Sequence, residues 1–408
     1  MNTHANELAT RALTAALPKS ATLFFRLMRQ LDKGNLSFTS PEGQTTVFRG
    51  AHAGPDADLR FTDWAVATEI FKAAEIGIAE AYRDHRLFTS DLSAFLLLCV
   101  ENQRALEAVF YGKPLIALFF RLRHMLRANT RNQAKKNISA HYDLSNAFYG
   151  AWLDETMTYS SAVFHGDFTQ PMANAQTAKY ERILALLHPA AGETILEIGC
   201  GWGGFAEHAA KTRGVNVVGI TLSKAQLAYA EQRISAAGLA DKVSFKLIDY
   251  RDVAGQFDYV VSIEMFEAVG ERYWNTYFQA VHDRLKPNGR AVIQSITIAE
   301  EVFPRYRASS DFIREYIFPG GMLAPIPRFV ADAKKAGLVA GSPYCFGLDY
   351  AETLKWWLQR VNAKVAEVQA LGFDEKFLQI WRFYLCYCEA GFRSGRTDVM
   401  QIELTRTT

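Results

Sequence analysis

The chain has 408 residues, more than one hydrophobic core usually organises, which points to two domains. Apolar residues make up 49% and charged residues 22%, the balance of an ordinary globular protein. The net charge of +2 excludes a global field that would gather nucleic acid or membrane, so any such attraction must come from a local patch. Cys99, Cys200, Cys345, Cys386 and Cys388 form no CxxC and no metal spacing, which suits reduced thiols in a cytosol. The first twenty residues predict no signal peptide, since no charged start leads into an apolar run. The longest apolar runs, 95–100 and 115–120, are too short to span a bilayer. A cytoplasmic protein that meets lipid peripherally, at the inner face of a membrane, is the expectation.

Residues 1–128 read as a small α+β module. Leu36–Phe48 alternates around turn residues and predicts a hairpin. Residues 67–81 and 91–111 predict helices, with Asp91 near the start of the second. From 113 to 137, apolar residues at helical spacing accompany Arg121, Arg123, His124, Arg127, Arg131, Lys135 and Lys136, with no acid among them. One reading is a solvated helix linking two domains. The other is a surface that docks on anionic lipid headgroups. Nucleic acid is disfavoured because no stacking platform accompanies the charge.

Residues 129–408 form the second predicted domain. Strands at 194–198, 215–220, 243–247, 257–263 and 291–298 alternate with helices at 206–212, 224–238 and 273–285. That alternation predicts a doubly wound α/β sheet of parallel strands. Helices around 326–337 and 351–394 follow, then a last strand at 399–405.

The first of these strands runs into Glu197-Ile198-Gly199-Cys200-Gly201-Trp202-Gly203-Gly204, in which Gly199, Gly201 and Gly204 fit GxGxxG. Dinucleotide and S-adenosylmethionine folds both use such a loop. Glu197 separates them: its carboxylate would repel a pyrophosphate but suits a cationic sulfonium. About 20 residues on, where an NAD enzyme normally places a ribose-binding acid, stand Thr221 and Ser223. The histidines show no HxxxH, so no metal site is predicted, and no GxSxG elbow occurs.

Several further motifs, in order, resemble the cyclopropane fatty acid synthase family over most of the chain. They are His141-Tyr-Asp143, Asn146-Ala-Phe-Tyr149, Met157-Thr-Tyr159-Ser160, Gly219-Ile-Thr221-Leu-Ser223 with Gln226, and Asp249-Tyr250-Arg251-Asp252. Met265-Phe266-Glu267-Ala-Val-Gly270, Phe312-Ile313 with Tyr316-Ile-Phe-Pro-Gly-Gly321, and Asp349-Tyr350 with Trp356 complete the set. The resemblance implies a seven-stranded Rossmann-like methyltransferase sheet with helical insertions. It also implies an N-terminal domain like that of the phospholipid-acting members, and it makes a homodimer an option. S-adenosylmethionine would be lined by Tyr159, Ser160, Glu197, Gly199, Gly201, Thr221, Ser223, Gln226, Tyr250 and Arg251. Its methyl group would go to the double bond of an unsaturated acyl chain in phospholipid, giving a cation that must lose a proton.

Tyr350 and Phe266 are candidates to face that cation. In the family a bicarbonate, held by a Cys, a Glu, a His, a Tyr and a backbone group, takes the proton. Glu267 and Tyr350 match two of these and Ile296 falls at the backbone position, but Ser161 and Gln294 replace the Cys and the His. Bicarbonate then persists in a retuned site, or another group, such as Glu267 with a burial-raised pKa, takes the proton. Proton loss from the transferred methyl closes a cyclopropane ring. Loss from a neighbouring carbon leaves a methylene or methyl-branched alkene. A small-molecule N-methyltransferase and a catalytically inactive lipid binder are the remaining alternatives.

Overall fold

A computed structural model describes residues 17–103 and 144–406. The basic segment and the His141–Asp143 motif lie outside the described residues. The described residues form two compact units: 17–103 with 374–390, and 144–373 with 391–406.

The first unit opens with helix α1 (Lys19–Met28), then strands β1 (Lys33–Thr39), β2 (Thr45–Arg49) and β3 (His52–Phe61). Helices α2 (Ala65–Ala73) and α3 (Glu75–Arg83), strand β4 (Leu87–Phe88) and helix α4 (Leu92–Glu101) follow. The sheet order is β2-β1-β3-β4. The predicted hairpin is present as the antiparallel β1–β2 pair, while β1 and β3 run parallel. The run expected as one helix over 67–81 is two, because Ala74 turns to φ +48° between them. Apolar spacing continues across that break, so periodicity alone does not reveal it. Asp91 caps α4 by accepting from the Ala94 N–H. Phe24, Phe38 and Phe61 pack with ring centroids 4.7–5.1 Å apart and form the core between α1 and the sheet.

Buried Asn102 joins the start of β1 to the end of α4. Its Oδ1 accepts from the N–H groups of Asp32 and Lys33, and its Nδ2 donates to the carbonyls of Lys33 and Leu98. Asn102→Ala leaves these groups without their partner. It is expected to cost about 2–3 kcal/mol, read as a lower urea midpoint for this unit's transition.

The second unit begins with helices α5 (Asn146–Trp152) and α6 (Met172–Leu187). Strands β5 (Thr194–Ile198), β6 (Asn216–Thr221), β7 (Val243–Leu247) and β8 (Phe257–Ile263) alternate with helices α7 (Gly204–Arg213) and α8 (Lys224–Ala236). Helix α9 (Trp274–Arg284) leads into the long strand β9 (Leu285–Ile298). Then come α10 (Phe303–Ala308), α11 (Ile326–Lys335), β10 (Leu338–Ala340), β11 (Tyr344–Cys345), α12 (Gly347–Ala363) and α13 (Val365–Ala370). Helix α14 (Glu375–Arg393) begins in the first unit and ends in the second, followed by β12 (Thr397–Arg406).

The sheet path is β10-β12-β9-β8-β5-β6-β7, with β11 paired to β12. β5 to β9 are parallel, as expected, but β12 runs antiparallel to both β9 and β10. A buried apolar strand reads the same in either direction, so the pattern at 399–405 does not report its sense. β5 and β8 are largely buried on both faces because helices cover both sides. The chain moves outward from β5 through β6 to β7, then restarts at β8 on the other side of β5. Ligands in such sheets sit at that reversal, off the carboxyl ends of the strands.

Candidate active site

The reversal brings three strand ends together. β5 ends in the glycine turn, β6 ends at Thr221, and β8 ends at Ile263 just before Glu264. Gly199 has φ +84°, and a Cβ there would lie 2.9 Å from Met265 Cγ, so only glycine lets the two turns pack. Above Gly201 an added Cβ would meet no atom within 4 Å. Glu197 is buried on β5, and its Oε2 has no hydrogen-bond partner among the described residues. Burial raises its pKa well above the ordinary carboxylate range, opposed by the charge of Lys179.

At the end of β6, Thr221 Oγ1 donates to Gln226 Oε1 at 3.0 Å and accepts from the Ser223 N–H. Ser223 Oγ accepts from the Gln226 N–H and so caps α8. The trio fixes the orientation of Gln226, whose amide N–H₂ is the donor left over. Arg251 makes a bidentate pair with Asp249, at 2.8 and 2.6 Å, so its guanidinium is committed within the chain. The Tyr250 hydroxyl is pushed up to about 12, by burial first. Its ring stands edge-on to Tyr277 at 5.6 Å.

On the other side of the glycine turn, Tyr159 packs among Tyr149, Trp152 and Trp357 with centroids 5.2–5.7 Å away. Ser160 is buried and its Oγ accepts from Lys179 Nζ. This geometry fits S-adenosylmethionine. The unpartnered Glu197 oxygen is open to a polar or cationic ligand, whose charge would favour the carboxylate form, and the open glycine turn admits close backbone approach.

Three of the residues expected around a bicarbonate, Ser161, Gln294 and Tyr350, converge on a carboxylate of the chain itself, whereas Glu267 and Ile296 do not. Glu264 Oε1 accepts from the Ser161 N–H at 2.9 Å and from Gln294 Nε2 at 2.7 Å. Its Oε2 accepts from the Tyr350 hydroxyl at 2.7 Å. Glu264 takes a left-handed φ of +50°, uncommon for a non-glycine residue, and its N–H donates to the Gln294 carbonyl. Ser161 contributes its backbone, because its hydroxyl donates to the Ala162 carbonyl. Gln401, unnoticed in the sequence, donates from Nε2 to Gln294 Oε1 at 2.9 Å and thereby turns the Gln294 N–H₂ toward Glu264.

Glu267 is separate from this knot. Its Oε1 accepts from the Ser295 hydroxyl and the Ile296 N–H, and its Oε2 is buried without a partner among the described residues. Tyr350 is held by stacking on Phe392 at 4.4 Å and by an edge contact to Trp357. Phe266 is a core residue instead of a site residue. It packs on Trp274, Tyr277, Phe278 and Phe329. The sequence signal that could have exposed Glu264 is its place directly after a buried strand, three residues before Glu267.

The two carboxyls differ in what surrounds them. Glu267 is pushed up to about 8, by burial first and by repulsion from Glu264 second. It is therefore largely protonated at neutral pH and unable to accept a proton there. Burial also raises Glu264, but Tyr350, Lys179, Ser161 and Gln294 all favour its ionised form.

Fold and site together define a methyltransferase that uses S-adenosylmethionine. Residues 129–402 match the family model described as mycolic acid cyclopropane synthetase. The chain is 39% identical over 352 residues to the tuberculostearic acid methyltransferase UfaA1 of Mycobacterium tuberculosis, covering 84% of this chain and 81% of that one. It is 32% identical over 357 residues to the cyclopropane-fatty-acyl-phospholipid synthase of Escherichia coli, covering 86% and 88%. A solved structure of mycolic acid cyclopropane synthase CmaA1, complexed with SAH and CTAB, superposes with a TM-score of 0.63 at 32% identity, over 67% of this chain and 98% of that one. The chain belongs to the mycolic acid cyclopropane synthetase family. No helix among the described residues is long and apolar enough to cross a membrane.

The raised carboxyl of Glu267 has a consequence for stability. Between about pH 4.5 and 8 the folded state keeps a proton that the unfolded state has released, so this group lowers stability as pH rises through that window. Glu267→Gln removes the effect. Its melting temperature relative to wild type is expected to improve from pH 5 to pH 8, and a difference independent of pH would contradict the assignment.

Proposed function

We propose that this chain methylates the double bond of an unsaturated fatty acyl chain, carried on phospholipid, and that Glu264 removes the proton that completes the reaction. The observation that carries this reading is the Glu264 carboxylate gripped by Ser161, Gln294 and Tyr350. These are the positions that the family resemblance assigns to an anion with the same task.

S-adenosylmethionine, when bound, supplies an electrophilic methyl group. Glu197, the Gly199–Gly201 turn, Ser160, Thr221 with Gln226, and the Tyr159 and Tyr250 rings would hold it. Ser223 and Arg251 act on this site indirectly, through the α8 cap and through Asp249. An isolated alkene is a weak nucleophile, so the reacting carbons must be held close in a site without water. The Tyr350 ring, backed by Phe392 and hydrogen-bonded to Glu264 through its hydroxyl, suits the developing positive charge.

A C–H bond then breaks and its proton passes to Glu264. Glu267, neutral at the same pH, keeps a second negative charge away from Glu264 and offers a hydrogen-bond donor. Environments that push two neighbouring carboxyls apart in this way assign the acid and the base. A bicarbonate has no role in this scheme, because Glu264 already holds the donors it would need.

Ring closure is the primary reading, because the base is fixed where the cyclopropane-forming resemblance places the proton acceptor. The open methylene or methyl-branched product is the second, favoured by Ser161 and Gln294 in place of the usual Cys and His. Phospholipid as the carrier of the acyl chain is supported by the likeness to the Escherichia coli enzyme along both units of the chain.

The test is incubation with S-adenosylmethionine and vesicles of monounsaturated phospholipid, followed by mass spectrometry and proton NMR of the fatty esters. A gain of one CH₂ with upfield ring protons is expected; vinylic protons would select the second reading. No gain would end the proposal. Glu264→Gln is expected to slow methylation by about 10²–10⁴-fold. Wild-type turnover is expected to be equal in buffers with and without bicarbonate, and a strict requirement for it would return the proton to a bound anion.

A further inference from the structure

Lys179 lies on α6 with no exposed surface. A lysine is almost never buried so completely without a charged partner. Its Nζ donates to Ser160 Oγ at 2.6 Å and to Gln176 Oε1 at 2.7 Å, and it stands 5.0 Å from the centre of the Tyr180 ring. Both oxygens are neutral, so contact does not cancel the charge. The acidic groups that favour its charge come from three other segments: Glu264 after β8, Asp154 after α5 and Glu197 on β5.

The backbone of the same residue reaches the other side of the knot. The Lys179 carbonyl accepts from Gln401 Nε2 at 3.4 Å, and that same N–H₂ holds Gln294. One residue of α6 thus touches the cofactor-side serine through its ammonium and the base-holding glutamines through its carbonyl. Neither Lys179 nor Gln401 belongs to a motif that the sequence singled out.

We propose that Lys179 is a positioning residue that keeps the Glu264 carboxylate ionised for proton removal and ties that charge, through Ser160, to the cofactor side of the site. The inference rests on Glu264 as the base. In the step itself a C–H bond of the methylated acyl cation breaks. Its electron pair closes the new carbon–carbon bond, or the new double bond, and the proton ends on Glu264. The ammonium neither gives nor takes a proton.

Burial lowers the Lys179 pKa to about 7, and Glu264, Asp154 and Glu197 raise it. Burial raises Glu264, and Lys179 opposes that rise. Each group therefore opposes the loss of charge that burial imposes on the other, and loss of the ammonium must push Glu264 further up. The acid limb of the rate profile would then move to higher pH.

The experiment uses the full chain with Lys179→Gln, which keeps hydrogen-bonding capacity for Ser160 and Gln176 but deletes the charge, and Lys179→Arg, which keeps the charge. Single-turnover methylation of monounsaturated phospholipid vesicles is followed against pH, and S-adenosylhomocysteine affinity is measured by calorimetry. For Lys179→Gln the acid limb should rise by about one pH unit, with a roughly tenfold loss at pH 7 that higher pH restores. Affinity for S-adenosylhomocysteine should change less than about threefold, and Lys179→Arg should keep the wild-type limb. An unmoved limb, or a loss equal at every pH, would overturn the inference.

Should Lys179→Gln fold poorly, its melting loss is compared in wild-type and Glu264→Gln backgrounds. A smaller loss in the Glu264→Gln background supports the pairing, and an equal loss overturns it. A methylation rate that Glu264→Gln leaves unchanged would remove the base and this inference together. A rate that Glu264→Gln abolishes, with a limb that Lys179→Gln leaves in place, would remove the role of the lysine alone.

Discussion

One carboxylate organises the catalytic unit. Glu264 is gripped by a backbone N–H from the segment after α5, a side-chain amide from β9 and a phenol from α12. A buried anion needs such donors, because desolvation otherwise forces it to take up a proton. The converse also holds: the three segments carrying the donors are pinned to one another by the anion. The segment carrying Ser161 is pinned to α12 a second time. Thr353 Oγ1 accepts from the Ala162 N–H, and Asp349 Oδ2 accepts from the Phe164 N–H.

The neighbouring carboxyl sits in a different environment. Glu264 and Glu267 are three residues apart on one turn, and burial raises both. Glu264 collects more donors, and the charge of Lys179, all of which oppose that rise. Glu267 has two donors on one oxygen and none on the other. Like charges at this separation cannot both persist in a low dielectric, so ionisation of one enforces neutrality of the other.

The amide network shows how two unusual residues still serve a buried carboxylate. Gln294 carries no charge, yet its N–H₂ serves the carboxylate because Gln401 occupies its oxygen. Ser161 needs no special side chain, since its backbone N–H makes the bond. Substitutions that look like losses beside an external anion are consistent with an anion supplied by the chain.

The sequence by itself determined the sheet and the cofactor turn. Strand periods, the glycines after Ile198 and the polar end of β6 are local signals, and 194–198, 243–247 and 257–263 appear as strands with the bounds they suggest. It did not show that Ala74 breaks a helix or that β12 runs antiparallel, because apolar spacing is blind to one left-handed residue and to chain direction. Nor did it separate Phe266, a core ring, from Tyr350, a site ring; both are aromatics at strand or helix ends, and only packing tells them apart. Glu264, Lys179 and Gln401 were invisible as a group for the same reason. They lie 85 to 222 positions apart, and their roles exist only where the fold brings α6, the end of β8 and β12 around one buried charge.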